Sequence, residues 1–167
     1  KEIHDTPQYK ESIALAKIAL LDYLACYSAG LQSAKRKGLL QASLEKAGSH
    51  LILLTPYRTS KEQSALLSGY LAHYHDLDGV QANFRGHPSA VIFSALLAVS
   101  DADDSFERLL AAYVQGVEFA GRIGLQCQPQ HIKQGWHSTA TIGSLAAAVA
   151  IGYFKTLPLT DILSYYR

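Results

Sequence analysis

Apolar residues recur at helical spacing along most of this chain, and where they stop the sequence supplies glycine, proline or a capping residue. In "QYKESIALAKIALLDYLACYSA", residues 8–29, Ile13, Ala16, Leu20, Leu24 and Tyr27 share one helical face, with Pro7 in a starter position and Gly30 as a stop. A second, more polar helix is expected over 33–47, ending at Gly48 and weakened by Gly38. The pattern then changes: Leu51 to Leu54, broken by Pro56, reads as one short strand or extended stretch, with no large sheet to follow. Ser60 with Gln63, or Thr59 with Glu62, suits a capping box that opens a helix through "KEQSALLSGYLAHYH". Pro88 suits the first turn of a helix over 88–100, and Asp104 or Ser105 caps a long one through "FERLLAAYVQGVEFAGRIG". Glu118 and Arg122 form an i,i+4 pair there, a surface or interhelical support. After a polar break holding Pro129, "HSTATIGSLAAAVAIGYF" predicts a last complete helix over 138–154, rich in small residues for close packing. The fold class is therefore all-α, a helical bundle with at most one short β element near 50–58.

Composition sharpens this picture. The 167 residues suffice for one domain with a sizeable core, and hydrophobic residues reach 49% against 17% charged, so much surface must be hidden in that core or against another molecule. Fifteen basic and 14 acidic residues leave a formal charge of +1 with no basic stripe, which argues against nucleic acid as a partner. Cys26 and Cys127 lack CxxC spacing and read as buried thiols in a reducing, cytoplasmic setting. Apolar runs such as "LAAAVAIGYF" stop short of the roughly 20 residues a membrane span needs, so no membrane association is expected. Both ends read as cut: the chain starts at Lys1, has no Met, and places Thr160 as the N-cap of a helix that has barely begun.

Candidate chemistry concentrates in "AHYHDLDGVQANFRGHPSA", residues 72–90, with three of the seven histidines. A metal is the first possibility, but on a helix His73 and His75 point about 200° apart, at about 100° per residue. The His75-Asp76 doublet resembles the metal-binding pair of HD-domain phosphohydrolases, with His50 and Asp101 or Asp104 as possible further ligands; nothing rich in Lys or Arg stands nearby to receive a phosphate. A second possibility rests on "GHPSA" at 86–90 and "GWHSTATIG" at 135–143, each of which sets a histidine directly before a helix start bearing Ser or Thr. Helix N-termini offer unpaired N–H groups to an anion, and a histidine beside them can move a proton near neutral pH. Two such ends would suit a carboxylate substrate that gains or loses a proton, with Asp76 and Asp78 orienting an imidazole or acting as base; the plainer alternative makes His87 and His137 N-caps with exposed rings.

Taken together, "AKIALLDYLACYSAG", "GYLAHYHDLDGVQANFRGHPSA" and "GVEFAGRIG…GWHSTATIGSLAAAVAIG" closely resemble the N-terminal part of the MmgE/PrpD family. The resemblance covers nearly the whole chain, and the combination of H-x-x-D-x-D, GHPS and GWH-x-TAT is far more specific than any one motif. It implies a lyase on a small polycarboxylate, without metal or other cofactor, of the kind represented by 2-methylcitrate dehydratases, cis-aconitate decarboxylases and iminodisuccinate epimerases. Dehydration is the leading activity, in a homodimer. It implies the N-terminal share of a larger helical domain, with an α/β lid, further helices, and site lysines and a tyrosine lying beyond Arg167. By the same resemblance His137 is the first choice as acid/base residue, His87 and Asp76 share proton transfer or place substrate, and Asp78, Arg85, Ser89, Ser138 and Thr139 bind it. Gly79 and Val80 replace the Asp and Thr that commonly follow in that loop. Arg85 reads equally well as a loop charge, His73 as a packed or hydrogen-bonded histidine at a helix end, His75 as incidental, and Trp136 as a pocket wall or core residue; His4, His50 and His131 have no motif support. A non-catalytic helical module is the competing class.

Overall fold

The computed structural model describes residues 6–36, 48, 50–158 and 160. Among them are six helices: α1 (Pro7–Arg36), α2 (Lys61–Ala72), α3 (Pro88–Val99), α4 (Phe106–Cys127), α5 (Gln130–Lys133) and α6 (Ser138–Lys155). A hairpin of two short antiparallel strands, β1 (His50–Leu51) and β2 (Arg58–Thr59), pairs His50 with Thr59. The all-α expectation holds, including the single small β element.

Capping chemistry sets several boundaries. Ser60 caps α2 by accepting from Gln63 N, while Thr59 belongs to the strand. Ser105 caps α4 by accepting from Arg108 N; Asp104 instead accepts from Asp101 N and from Lys155 Nζ. Pro88 takes the first helical position of α3. Gly30 is not a stop: α1 runs through it to Arg36, because the missing Cβ is used for contact with a neighbouring helix. Residues 33–36 of the expected second helix belong to α1, and 37–47 lie outside the described residues, as do 161–167 after Thr160. The α2 helix ends at Ala72, so His73, Tyr74 and His75 form a turn. The polar break after Cys127 holds the short α5, which the apolar pattern does not announce.

The α1 helix packs on α2 and α4, α2 on α3, and α6 on both α3 and α4. Small residues decide how closely they approach: a Cβ on Gly116 would stand 3.0 Å from Ala146 O, and one on Gly30 would overlap the carbonyl oxygen of Leu71. Tyr23, Tyr27, Phe84, Phe93, Leu71, Leu96 and Leu110 are fully buried between these helices. Buried hydroxyls find partners, Tyr23 with Ser94 Oγ at 2.9 Å and Tyr27 donating to Leu53 O at 2.8 Å, which ties α1 to the hairpin. Burial pushes the Tyr23 phenol well above its usual range, so it stays a neutral hydrogen-bonding group.

One composition-based expectation changes, and the counting behind another is incomplete. Cys26 and Cys127 are free but half-buried rather than buried. Counting uninterrupted apolar runs overlooks α1, whose stretch Pro7–Ala34 is long and apolar enough to cross a membrane by length and composition, since Lys17 and Asp22 interrupt the run without much lowering its mean hydropathy. The same helix exposes Leu15, Ile18 and Leu21 while burying Tyr23 and Tyr27. The Glu118–Arg122 pair is a surface contact at 3.8 Å.

Gly30→Ala is expected to lower stability by about 1–3 kcal/mol, because its methyl meets backbone that cannot rotate away. A urea titration reads the change, and an unmoved midpoint would show that α1 does not depend on this approach.

Candidate active site

The turn that ends α2 and the loop before α3 bring four side chains together. His73, Asp76, Asp78 and His87 each place one nitrogen or oxygen so that the four atoms lie within 4.8 Å of one another. Three of them, Asp76, Asp78 and His87, were expected from the sequence; His73 is the addition. The H-x-x-D-x-D spacing held the clue, because the turn after α2 folds Asp76 and Asp78 back onto His73.

Asp78 is the hub. Its side chain is fully buried, and its Oδ1 accepts from His73 Nδ1 at 2.8 Å. The Asp78 backbone carbonyl accepts from His87 Nδ1, also at 2.8 Å, with Oδ1 a further contact at 3.4 Å. A carbonyl or carboxylate oxygen can only accept, so both rings carry their proton on Nδ1 when neutral and turn Nε2 outward. Both Nε2 atoms face Asp76 Oδ1, His87 at 3.3 Å and His73 at 3.8 Å. Asp76 is largely exposed and adopts φ 57°, a left-handed conformation that aspartate tolerates better than most residues. The rings of His73 and His87 stand 4.6 Å apart.

The loop is pinned from three sides. Gly79 N donates to Asp22 Oδ2 of α1 at 3.0 Å. Gln81 closes the loop through Gly86 O and holds Phe84 N with its own side chain, so Phe84 is driven fully into the core. His87 N donates to Thr139 Oγ1 at 3.0 Å, joining the start of α3 to the start of α6. A groove of about 910 Å³ between α2 and α3 has His73, Tyr70, Ser94 and Thr139 among its walls.

The remaining sequence candidates fall into distinct places. His137 is the N-cap residue of α6 without a side-chain cap bond, and its ring is exposed. Among the described residues no hydrogen bond or ion pair joins that ring to the four-residue cluster. Its backbone carbonyl accepts from the Thr141 hydroxyl, which therefore takes its bond from His131 Nε2 at 2.7 Å as acceptor. His131 thus braces the loop and stacks near Trp136, which is exposed rather than in the core. Arg85 is exposed at φ 54°. The hydroxyls of Ser89 and Ser138 are buried, bonded to Tyr113 OH at 2.8 Å and Gln128 Nε2 at 2.9 Å. Gly79 and Val80 are exposed. The HD-type grouping does not assemble: His75 bonds Ser33 Oγ, while Asp101 and Asp104 engage Lys155.

A family model described as the MmgE/PrpD N-terminal domain matches residues 2–164. No curated protein matches the chain.

The geometry sets an observable. Long-range proton–nitrogen correlation spectra should show His73 and His87 as Nδ1–H tautomers whenever neutral, and Asp78→Ala should release His73 to a mixture. An Nε2–H signature for His73 in the unmodified protein would contradict the arrangement.

Proposed function

The chain belongs to the MmgE/PrpD family, whose context is dehydratase and lyase chemistry, and from that premise we propose that it acts on a small polycarboxylate by acid/base elimination, of the 2-methylcitrate dehydratase kind. The observation that supports this most directly is the joining of two histidine-capped helix N-termini, α3 at His87 and α6 at His137, through the His87 N to Thr139 Oγ1 bond, with Asp76 alongside.

In the proposed reaction a base removes the proton α to a carboxylate, and an acid protonates the departing hydroxyl so that it leaves as water. The electron pair of the broken C–H bond becomes the new carbon–carbon π bond. His137 is the leading acid/base group because its ring is unengaged among the described residues, and His87 Nε2 with Asp76 shares proton transfer or sets the substrate. The first-turn N–H groups of α3 and α6 and the exposed Arg85 meet the substrate's carboxylates and the charge that builds on the carbanion-like centre. Thr139 contacts substrate from the groove wall, while Asp78, Ser89 and Ser138 serve the site through the residues they hold. Lysines and a tyrosine from other parts of the protein, including an α/β lid, complete it. The protein works in the cytoplasm as a homodimer without a cofactor, and the exposed Leu15, Ile18 and Leu21 face suits burial against further apolar surface. Decarboxylation and epimerisation draw on the same groups, so the substrate panel decides among them.

The test uses the full-length protein that carries this domain, assayed with 2-methylcitrate, cis-aconitate and iminodisuccinate. His137→Ala is expected to lower turnover by about 10²–10⁴-fold, the range for loss of a general acid or base. Turnover unchanged in that variant would remove His137 from the mechanism, and no turnover of any of the three would count against the reading as a whole.

A further inference from the structure

The inner cluster has an electrostatic feature that acid/base chemistry does not require. Asp78 holds the Nδ1 protons of both imidazoles, so the two Nε2 lone pairs of the neutral rings converge on Asp76, a group that can only accept. With both rings neutral, three acceptors thus face one another. Two carboxylates stand in the cluster, and among the described residues no lysine or arginine pairs with either. Among the described residues Asp78 Oδ2 is buried without a hydrogen-bond partner, which leaves negative charge that the imidazoles do not fully meet.

We propose that His73 Nε2, His87 Nε2 and the Asp76 carboxylate bind a divalent ion of the Zn²⁺ class. Two nitrogens and one carboxylate oxygen are the donor set that suits such an ion, with a fourth position open to water. Two donors about 2.1 Å from a tetrahedral ion stand about 3.4 Å apart. The His87 to Asp76 separation of 3.3 Å matches that spacing, and the His73 to Asp76 separation of 3.8 Å needs only a small closure. Asp78 supplies the outer support that metal-bound histidines generally have, since it accepts the Nδ1 proton of one ligand with its side chain and of the other with its backbone. A dication balances the two carboxylates, and the exposure of Asp76 opens the position to solvent. The ion takes the His87 lone pair, so, on the acid/base reading above, metal uptake and proton transfer at His87 exclude each other, which makes the ion an inhibitor rather than a cofactor.

The test reads binding rather than turnover, so its outcome is independent of the lyase reading. Full-length protein, stripped with a chelator, is titrated with Zn²⁺ against a chromophoric competitor, and Co²⁺ serves as a visible-absorption probe of the coordination. One ion per chain is expected, with His137→Ala binding as the unmodified protein does. Asp78→Asn should weaken binding by about 10- to 100-fold, the effect of losing an outer-shell partner, and His73→Ala or Asp76→Ala by more than that. Asp78 lies in the core, so circular dichroism accompanies its variant; His73 and Asp76, partly exposed, carry the decision. No stoichiometric uptake by the unmodified protein, or equal affinity in His73→Ala and Asp76→Ala, would overturn the assignment.

Discussion

The Asp78 carboxylate has no exposed surface, and its Oδ1 stands 2.8 Å from His73 Nδ1 and 3.4 Å from His87 Nδ1. A carboxylate withdrawn from water must be met by donors, and here His73 donates to Oδ1 with His87 as a further contact, while Oδ2 has no hydrogen-bond partner among the described residues. That requirement at His73, and the Asp78 backbone carbonyl at His87, fix which nitrogen of each ring holds its proton, and so which nitrogen faces the outside. The arrangement of reactive atoms at the surface follows from a charge kept below it. His73, at the end of α2, and His87, at the start of α3, are also joined through this one residue, by its side chain and its backbone carbonyl, so the angle between the two helices and the geometry of the site are not independent.

The loop between these helices carries backbone cost that the surrounding helices offset. Asp76 and Arg85 both have positive φ, at a cost of about 1–3 kcal/mol each for residues other than glycine. Against this stand the bonds from Gly79 N to Asp22, Phe84 N to Gln81 Oε1 and His87 N to Thr139 Oγ1, each contributing about 1 kcal/mol. Burial of Phe84 adds about 1.5–3 kcal/mol. The tethers and the ring together match or exceed the strain, and they come from α1, from the loop itself and from α6. The absence of a side chain at Gly124 lets α4 close on the backbone of Asn83 and Phe84, so three helices contribute to holding one short loop.

The overall fold was largely legible in the sequence because helix formation leaves local marks. The periodicity of Ile13, Ala16 and Tyr27, the capping hydroxyls of Ser60 and Ser105, and Pro88 in a first turn each act within a few residues. Gly30 shows where that logic ends: glycine was expected to stop α1, but at that position the Leu71 carbonyl of α2 fills the space a side chain would take. The choice between stop and contact depends on a residue 41 positions away in sequence, which no local pattern contains. The half-burial of Cys26 and Cys127 has the same origin, since flanking apolar residues do not reveal which face of a helix is covered.

The residue types and their order brought forward Asp76, Asp78 and His87, which meet in the cluster, and His137, which no bond joins to it among the described residues; the family to which the chain belongs accounts for why these phrases occur together. His73 and His75 do part, one to Asp78 and the other to Ser33, but in the turn after α2 rather than on opposite sides of a helix. Tertiary structure alone decided that Asp78 is buried while Asp76 is exposed, that Ser89 and Ser138 turn into the core while His137 stays free, and that His73 belongs with the other three. Sequence determines backbone preferences over a turn or two, because those depend on neighbouring residues. Which side chain loses its water, and which imidazole nitrogen is left facing out, depends on groups that only packing brings within 3 or 4 Å.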